Sequence, residues 1–161
     1  MESCPIVIFG IQQCSWDEIV KLLTACFLGG VIGLERELTR HPAGLRTHIL
    51  VSLGSAAVIL MVFYLMRTLD TSAKFDPGRA IAGIITGMGF IGAGAIMKEG
   101  PSVHGITTAA SLWVAAAVGM LSAVGAYGLA IFTTLLATVT MAFSPRTFPR
   151  ITDENNNLAK Q

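Results

Sequence analysis

Charged residues divide this chain into long apolar runs. Thr47 to Met66 lies between Arg46 and Arg67 and carries one histidine but no acid or base. Ala80 to Met97 lies between Arg79 and Lys98 and is free of charge. Gly105 to Pro145 has no charged residue at all. A hydrocarbon core of about 30 Å takes about 20 helical residues, because lipid offers no partner to a free backbone group. The first two runs therefore predict one transmembrane helix each. The third is about twice the length of a span and predicts two helices, joined by a very tight turn at Ser122 to Ala126.

The first span reads differently. Leu22 to Leu34, the uncharged stretch between Lys21 and Glu35, reaches about 20 Å at about 1.5 Å per residue, too short to cross. The helix must run past charge, with Asp17, Glu18 and Lys21 at its start and Glu35 and Arg36 in its last turns. Trp16 suits an interfacial anchor. The prediction is an all-α polytopic bundle of about five transmembrane helices. It occupies residues 16–145, after a short N-terminal segment 1–15 and before a tail 146–161 whose polar composition reads as disordered.

Composition supports this class. Of 161 residues 53% are apolar and 13% charged, about half the usual charged share of a soluble domain. The net charge of +1 argues against a nucleic-acid binder, which needs a basic face. Met1 to Cys14 carries Glu2 and no Lys or Arg, so the basic start of a cleavable signal is missing. Cys4, Cys14 and Cys26 lack C-x-x-C spacing and read as apolar fillers. Basic residues set the orientation. Arg36, Arg40, Arg46, Lys98, Arg146, Arg150 and Lys160 fall on one side, against Lys21, Arg67, Lys74 and Arg79 on the other. The richer side is expected to be cytoplasmic, with the N-terminus outside and the tail inside.

Lipid tails are as apolar as leucine, so helices associate through close packing or hydrogen bonds. Gly29 and Gly33 form a G-x-x-x-G in the first span, and Ser111, Ala115 and Gly119 a small stripe in the fourth. The third span holds Gly83, Gly87, Gly89, Gly92 and Gly94. Small residues on two of its faces predict either a central helix clasped from both sides or a helix broken at Gly87-Met88-Gly89, with free backbone groups lining a polar site.

Ionisable groups near membrane depth are costly and usually have a partner or a task. Glu35-Arg36-Glu37 is the leading candidate; its plain reading is a self-paired helix end. Arg46, after the tight Pro42-Ala43-Gly44 loop, reads as a positive anchor or as a partner for Glu35 or Glu99. Asp76-Pro77 is good helix-start chemistry, and Asp76 with Arg79 offers a charge pair at the outer mouth. Thr107, Thr108 and Ser111 share a helical face. They either bond back to their own helix or line a polar seam. Glu35 and Glu99 are weak candidates for Mg²⁺, which takes few protein carboxylates. No zinc, nucleotide or hydrolase motif is present, and no nucleophile–base pair suggests an enzyme.

Gly33-Leu34-Glu35-Arg36, Ala43-Gly44-Leu45-Arg46-Thr47-His48, Asp76-Pro77-Gly78-Arg79, Gly87 to Gly94 and Gly105 to Trp113 together resemble the MgtC/SapB family of bacterial membrane proteins, over about residues 16–143. The resemblance implies a bacterial inner-membrane protein tied to growth at low magnesium and, in pathogens, to virulence. It also implies that these charged and glycine positions are a shared core. Some members continue into a soluble cytoplasmic domain, and the resemblance here covers the transmembrane part. Two functions follow. One is a membrane-embedded regulator of another complex, for which an ATP synthase is a partner suggested within the family; the other is a small oligomeric transporter or channel for Mg²⁺ or another ion. Self-association suits both, and neither requires a cofactor.

Overall fold

Helix α1 (Trp16–Leu38) begins and ends in charge, as its short uncharged centre requires. Asp17 and Glu18 lie in its first turn, where the helix dipole favours acids, and Arg36 lies in its last. A computed structural model describes residues 16–68 and 76–143, and adds α2 (Leu45–Thr68), α3 (Pro77–Ala95), α4 (Ile106–Ala123) and α5 (Tyr127–Ala142). The N-terminal segment with Cys4 and Cys14, Lys74 and the tail with Arg146, Arg150 and Lys160 lie outside the described residues.

By length and apolarity α2, α3 and α4 each suffice to cross a membrane, and α5 is a shorter apolar helix. Large apolar side chains point outward from the bundle: Phe27 is 70% exposed and Phe90 84%. In water such a surface would be a liability; against lipid it is the ordinary solution. The fold is a membrane helix bundle.

The chain reverses by local chemistry at each described turn. After α1, Arg40 takes a positive φ of 58°. The His41 N–H reaches Arg36 O and the Arg40 N–H reaches Glu37 O, which is the Schellman pattern with arginine in the left-handed position. Between α3 and α4 the loop forms a two-stranded hairpin, β1 (Met97–Glu99) and β2 (Ser102–His104), with Lys98 opposite Val103. Gly105 closes the hairpin onto α3. Its φ is 89°, and a Cβ there would meet Ala95 O at 1.9 Å, so glycine alone fits. The expected tight turn at 122–126 is present as Val124-Gly125-Ala126. Gly125 sits at φ 79°, and the Ala126 N–H reaches Leu121 O.

Helix α4 is the centre of the bundle and touches all four others. Leu28, Ile32, Val118, Ala130 and Met141 join α1, α4 and α5. Ala25, Ala56, Ile59 and Ala123 join α1, α2 and α4. Met88, Leu112 and Ala116 hold α3 against α4, beneath Ala43 of the α1–α2 loop.

This arrangement corrects two expectations for the third span. α3 is peripheral: it packs mainly on α4 and only lightly on α2. Added Cβ atoms at Gly83, Gly87, Gly89 and Gly94 would meet nothing within 4 Å, and Gly92 alone of that group faces a neighbour, Ala109. Small residues permit a close neighbour but do not supply one. α3 is also unbroken at Gly87-Met88-Gly89, where Met88 is buried on Leu112 and Ala116. Glycine weakens a helix by about 1 kcal/mol. Without water to compete for the backbone, the helical bonds are kept.

The helix that is clasped from two sides is α2. A Cβ at Gly29 would lie 2.6 Å from Ser52 Cβ, one at Gly33 would lie 2.8 Å from Leu45 Cα, and one at Gly119 would lie 2.0 Å from Ser52 O. The His48–Ser52 turn therefore sits between bare backbone of α1 and of α4.

Candidate functional site

The end of the bundle that carries the hairpin also gathers most of the buried polar side chains of the described residues; Ser55 and Thr134 lie deeper, and Ser122 lies near the opposite end. At the hairpin end α1 and α5 finish and α2 and α4 begin. Arg36 is 1% exposed. Its Nε donates to the Glu35 carboxylate beside it, and its terminal nitrogen donates to Met141 O at 3.3 Å. Met141 lies in the last turn of α5, where carbonyls have no intrahelical partner and a cation is favoured. Arg36 thus caps α5 from α1.

Glu37 does the same service for α2. Its Oε2 accepts from the Leu45 N–H at 3.1 Å, which is the first residue of that helix. Gly44 keeps room for it, since a Cβ at 44 would meet this oxygen at 1.8 Å. On the same loop, Thr39 donates to Glu35 O at 2.8 Å and lies 2.8 Å from His41 Nδ1.

One turn into α2, His48 is 0% exposed. Its Nδ1 is 2.8 Å from Gly44 O and its Nε2 is 3.0 Å from Ser111 Oγ on α4. Ser111 Oγ in turn lies 2.8 Å from Thr108 O. One further turn along, Ser52 donates to Ala25 O of α1 at 2.8 Å. Buried polar side-chain atoms among the described residues all have partners. The belt ties four helices together: α1 to α5 through Arg36, α1 to α2 through Glu37 and Ser52, and α2 to α4 through His48.

Of the residues singled out from sequence, Glu35, Arg36 and Thr108 lie in this belt. Arg46 is exposed at its edge, and no ion pair among the described residues joins it to Glu35 or Glu99. Thr107 is exposed, on a groove between α4 and α5, so the expected seam of Thr107, Thr108 and Ser111 is split between surface and interior. Asp76 and Arg79 lie at the other end of α3. Asp76 accepts from the Gly78 N–H at 2.8 Å as the N-cap, with Pro77 first in the helix, and it forms no ion pair with Arg79 among the described residues. Glu99 stands exposed on β1. Among the described residues no three His, Cys, Asp or Glu side chains are grouped to hold a metal, and Glu35 and Glu99 are not brought together with a third ligand.

Sequence reading missed the capping roles. Glu37 acts eight residues ahead in the chain, and Met141 contributes a carbonyl, which leaves no side-chain signature. His48 and Ser52 were legible in principle, because polar residues four apart in an apolar span mark one inward face.

Five helices, four of them apolar along their length, around an internally satisfied polar belt define a polytopic membrane protein. The chain belongs to the MgtC family, whose profile matches residues 22–148. It is 38% identical over 144 residues to the "Putative magnesium transporter YhiD" of Escherichia coli K12, covering 87% of this chain and 66% of that protein. It is 42% identical over 118 residues to "Protein MgtC" of Salmonella typhimurium LT2, covering 73% of this chain and 48% of that protein. An uncharacterized protein of Synechocystis is 38% identical over 125 residues, 77% of this chain and 51% of that protein. The chain therefore spans between about half and two thirds of the length of these relatives. No solved structure matches.

Proposed function

We propose that this chain is a bacterial inner-membrane protein of magnesium-related physiology that regulates another membrane complex through direct helix contact. The observation that carries the reading is the outer face of α3. At 100° per residue Ala82, Thr86, Gly89 and Ala93 form one stripe, and all four are exposed. Thr86 returns its hydroxyl to Ala82 O at 2.8 Å, so the stripe offers a smooth, close-packing surface and no unmet hydrogen bond. Small-x-x-x-small faces are what transmembrane helices use to approach one another. A proton-translocating ATP synthase is the kind of partner the family resemblance suggests, and a second copy of the chain suits the same face. The magnesium link rests on the name of the Escherichia coli relative and on the family resemblance.

A transporter or channel for Mg²⁺ is the second reading, favoured by the name of the Escherichia coli relative. One experiment separates the two: Mg²⁺ flux into liposomes holding only the purified, folded protein, with Glu35→Gln as control. The regulator reading expects no flux above empty liposomes. Flux abolished by Glu35→Gln, in a variant shown by circular dichroism to be folded, would replace it with the transporter. The contact face is tested by Gly89→Leu, which is expected to leave the protein folded and inserted while abolishing its support of growth at low magnesium.

A further inference from the structure

Between α2 and α3 runs an open groove of about 650 Å³. Its walls are apolar, with Leu50, Val58 and Ile91 among them, and Gly54 of α2 and Gly87 of α3 widen it. Arg46 and Thr47 stand at its mouth on the hairpin end. We propose that this groove is a binding site for one anionic phospholipid, with an acyl chain in the groove and the phosphate held by the Arg46 guanidinium and the Thr47 hydroxyl.

Three observations argue for this occupant. The first is charge. Arg46 is exposed and has no ion pair among the described residues, while Glu37 beside it is engaged by the Leu45 N–H. A guanidinium matches phosphate geometry with paired N–H groups. Arg46 and Thr47 are also in the first turn of α2, where backbone N–H groups and the helix dipole favour an anion.

The second is depth. Arg46 to Val58 along α2 is about 18 Å at about 1.5 Å per residue. Half of a 30 Å hydrocarbon core is about 15 Å, so the groove runs from the polar surface to about the middle of the bilayer, the reach of one leaflet's acyl chain. The third is how it closes. Ile84, at the inner end of the groove, packs against the core of Ala56 and Ile59. A transmembrane helix crosses both leaflets and would be stopped there; an acyl chain ends there.

Native mass spectrometry of the purified full chain tests the site, with phosphatidylglycerol and phosphatidylcholine as probes. Wild-type protein is expected to retain one phosphatidylglycerol in preference to phosphatidylcholine. Arg46→Gln is expected to lower that preference about fivefold, the worth of one basic side chain at an anionic surface. Arg46→Lys is expected to keep part of it, and Arg79→Gln, at the other end of α3, all of it. Gly54→Leu, which fills the groove and leaves Arg46 in place, is expected to lower retention of both lipids. Circular dichroism of each variant verifies that the bundle is intact. An unchanged preference in Arg46→Gln, or unchanged retention in folded Gly54→Leu, would overturn the site and leave ordinary annular lipid. Equal displacement of the lipid by soluble glycerol phosphate would overturn the role of the groove. A dimer that excludes lipid and dissociates in Gly54→Leu would give the groove to a second copy instead.

Discussion

The imidazole Nε2 of His48 lies 3.0 Å from the hydroxyl of Ser111, across the interface of α2 and α4. The proton inventory of this contact is constrained. Gly44 O can only accept, so Nδ1 carries a proton and donates to it. In a neutral ring Nε2 then accepts, and the Ser111 hydroxyl is the donor at hand. That hydroxyl has one proton and also faces Thr108 O at 2.8 Å. Thr108 O keeps its helical bond when the proton goes to His48, so the histidine has the stronger need.

Ser111→Ala should accordingly be costlier than an average interhelical bond. Such bonds in membranes are worth about 0.6 kcal/mol, whereas a buried nitrogen left without a donor costs about 1–3 kcal/mol. Ser52→Ala removes a donor to Ala25 O and orphans nothing, so it is expected near the lower figure. Denaturation in mixed micelles, followed by helical circular dichroism, compares the two; equal losses would refute the asymmetry.

Arg36 and Glu35 form a second coupled pair. Arg36→Leu leaves the part-buried Glu35 carboxylate unpaired and removes the cap from Met141 O. A loss of about 3–5 kcal/mol is expected. Glu35→Gln with Arg36→Leu should recover much of it, because both charges are then gone. A double-mutant cycle of thermal unfolding measures the coupling, and strictly additive effects would show that the pair does not interact.

The glycines should divide sharply. Gly119→Ala drives a Cβ to 2.0 Å from backbone at Ser52, which no rotamer relieves, and about 3 kcal/mol of overpacking is expected. Gly83→Ala and Gly94→Ala meet open space and should stabilise α3 by about 0.5–1 kcal/mol. The order of melting temperatures, Gly119→Ala lowest and Gly83→Ala at or above the parent, is the readout.

Orientation is tested by single cysteines in a background lacking Cys4, Cys14 and Cys26. Positive-inside bias expects a cysteine at Ser102 on the hairpin to resist a membrane-impermeant maleimide added to intact cells, and one at Asp76 to react. The reverse pattern would invert the topology.

Where charge is absent, the spans were legible. Arg46 and Arg67 bracket the uncharged run of α2, and Arg79 and Lys98 that of α3, because a charge at lipid depth is the strongest prohibition in the sequence. The α4–α5 turn was legible because the uncharged run is about twice the length of a span and holds small residues at 122–126. Placement within the bundle was not. Five glycines made the third span look central, yet a glycine records how near a neighbour is allowed to come and says nothing of whether that neighbour belongs to this chain. The clasp on α2 was written in Gly29, Gly33 and Gly119, on helices other than the one they clasp. Arg36 was legible as a candidate but its task was not, since the atom it caps is a main-chain carbonyl more than a hundred residues away.

The helices also differ in length. At about 1.5 Å per residue the 24 residues of α2 span about 36 Å, and the 16 of α5 about 24 Å. A bilayer of uniform thickness cannot match both. Thinning of the lipid or self-association would meet the shortfall at α5, and tilting the excess at α2, at a fraction of a kcal/mol per Å of mismatch. Where lipid takes up the difference, the membrane around the protein would slope, shallow on one flank and deep on the other. Neighbours with a short hydrophobic belt would then be drawn to the α5 flank by the bilayer's own elasticity, before any side chain touches.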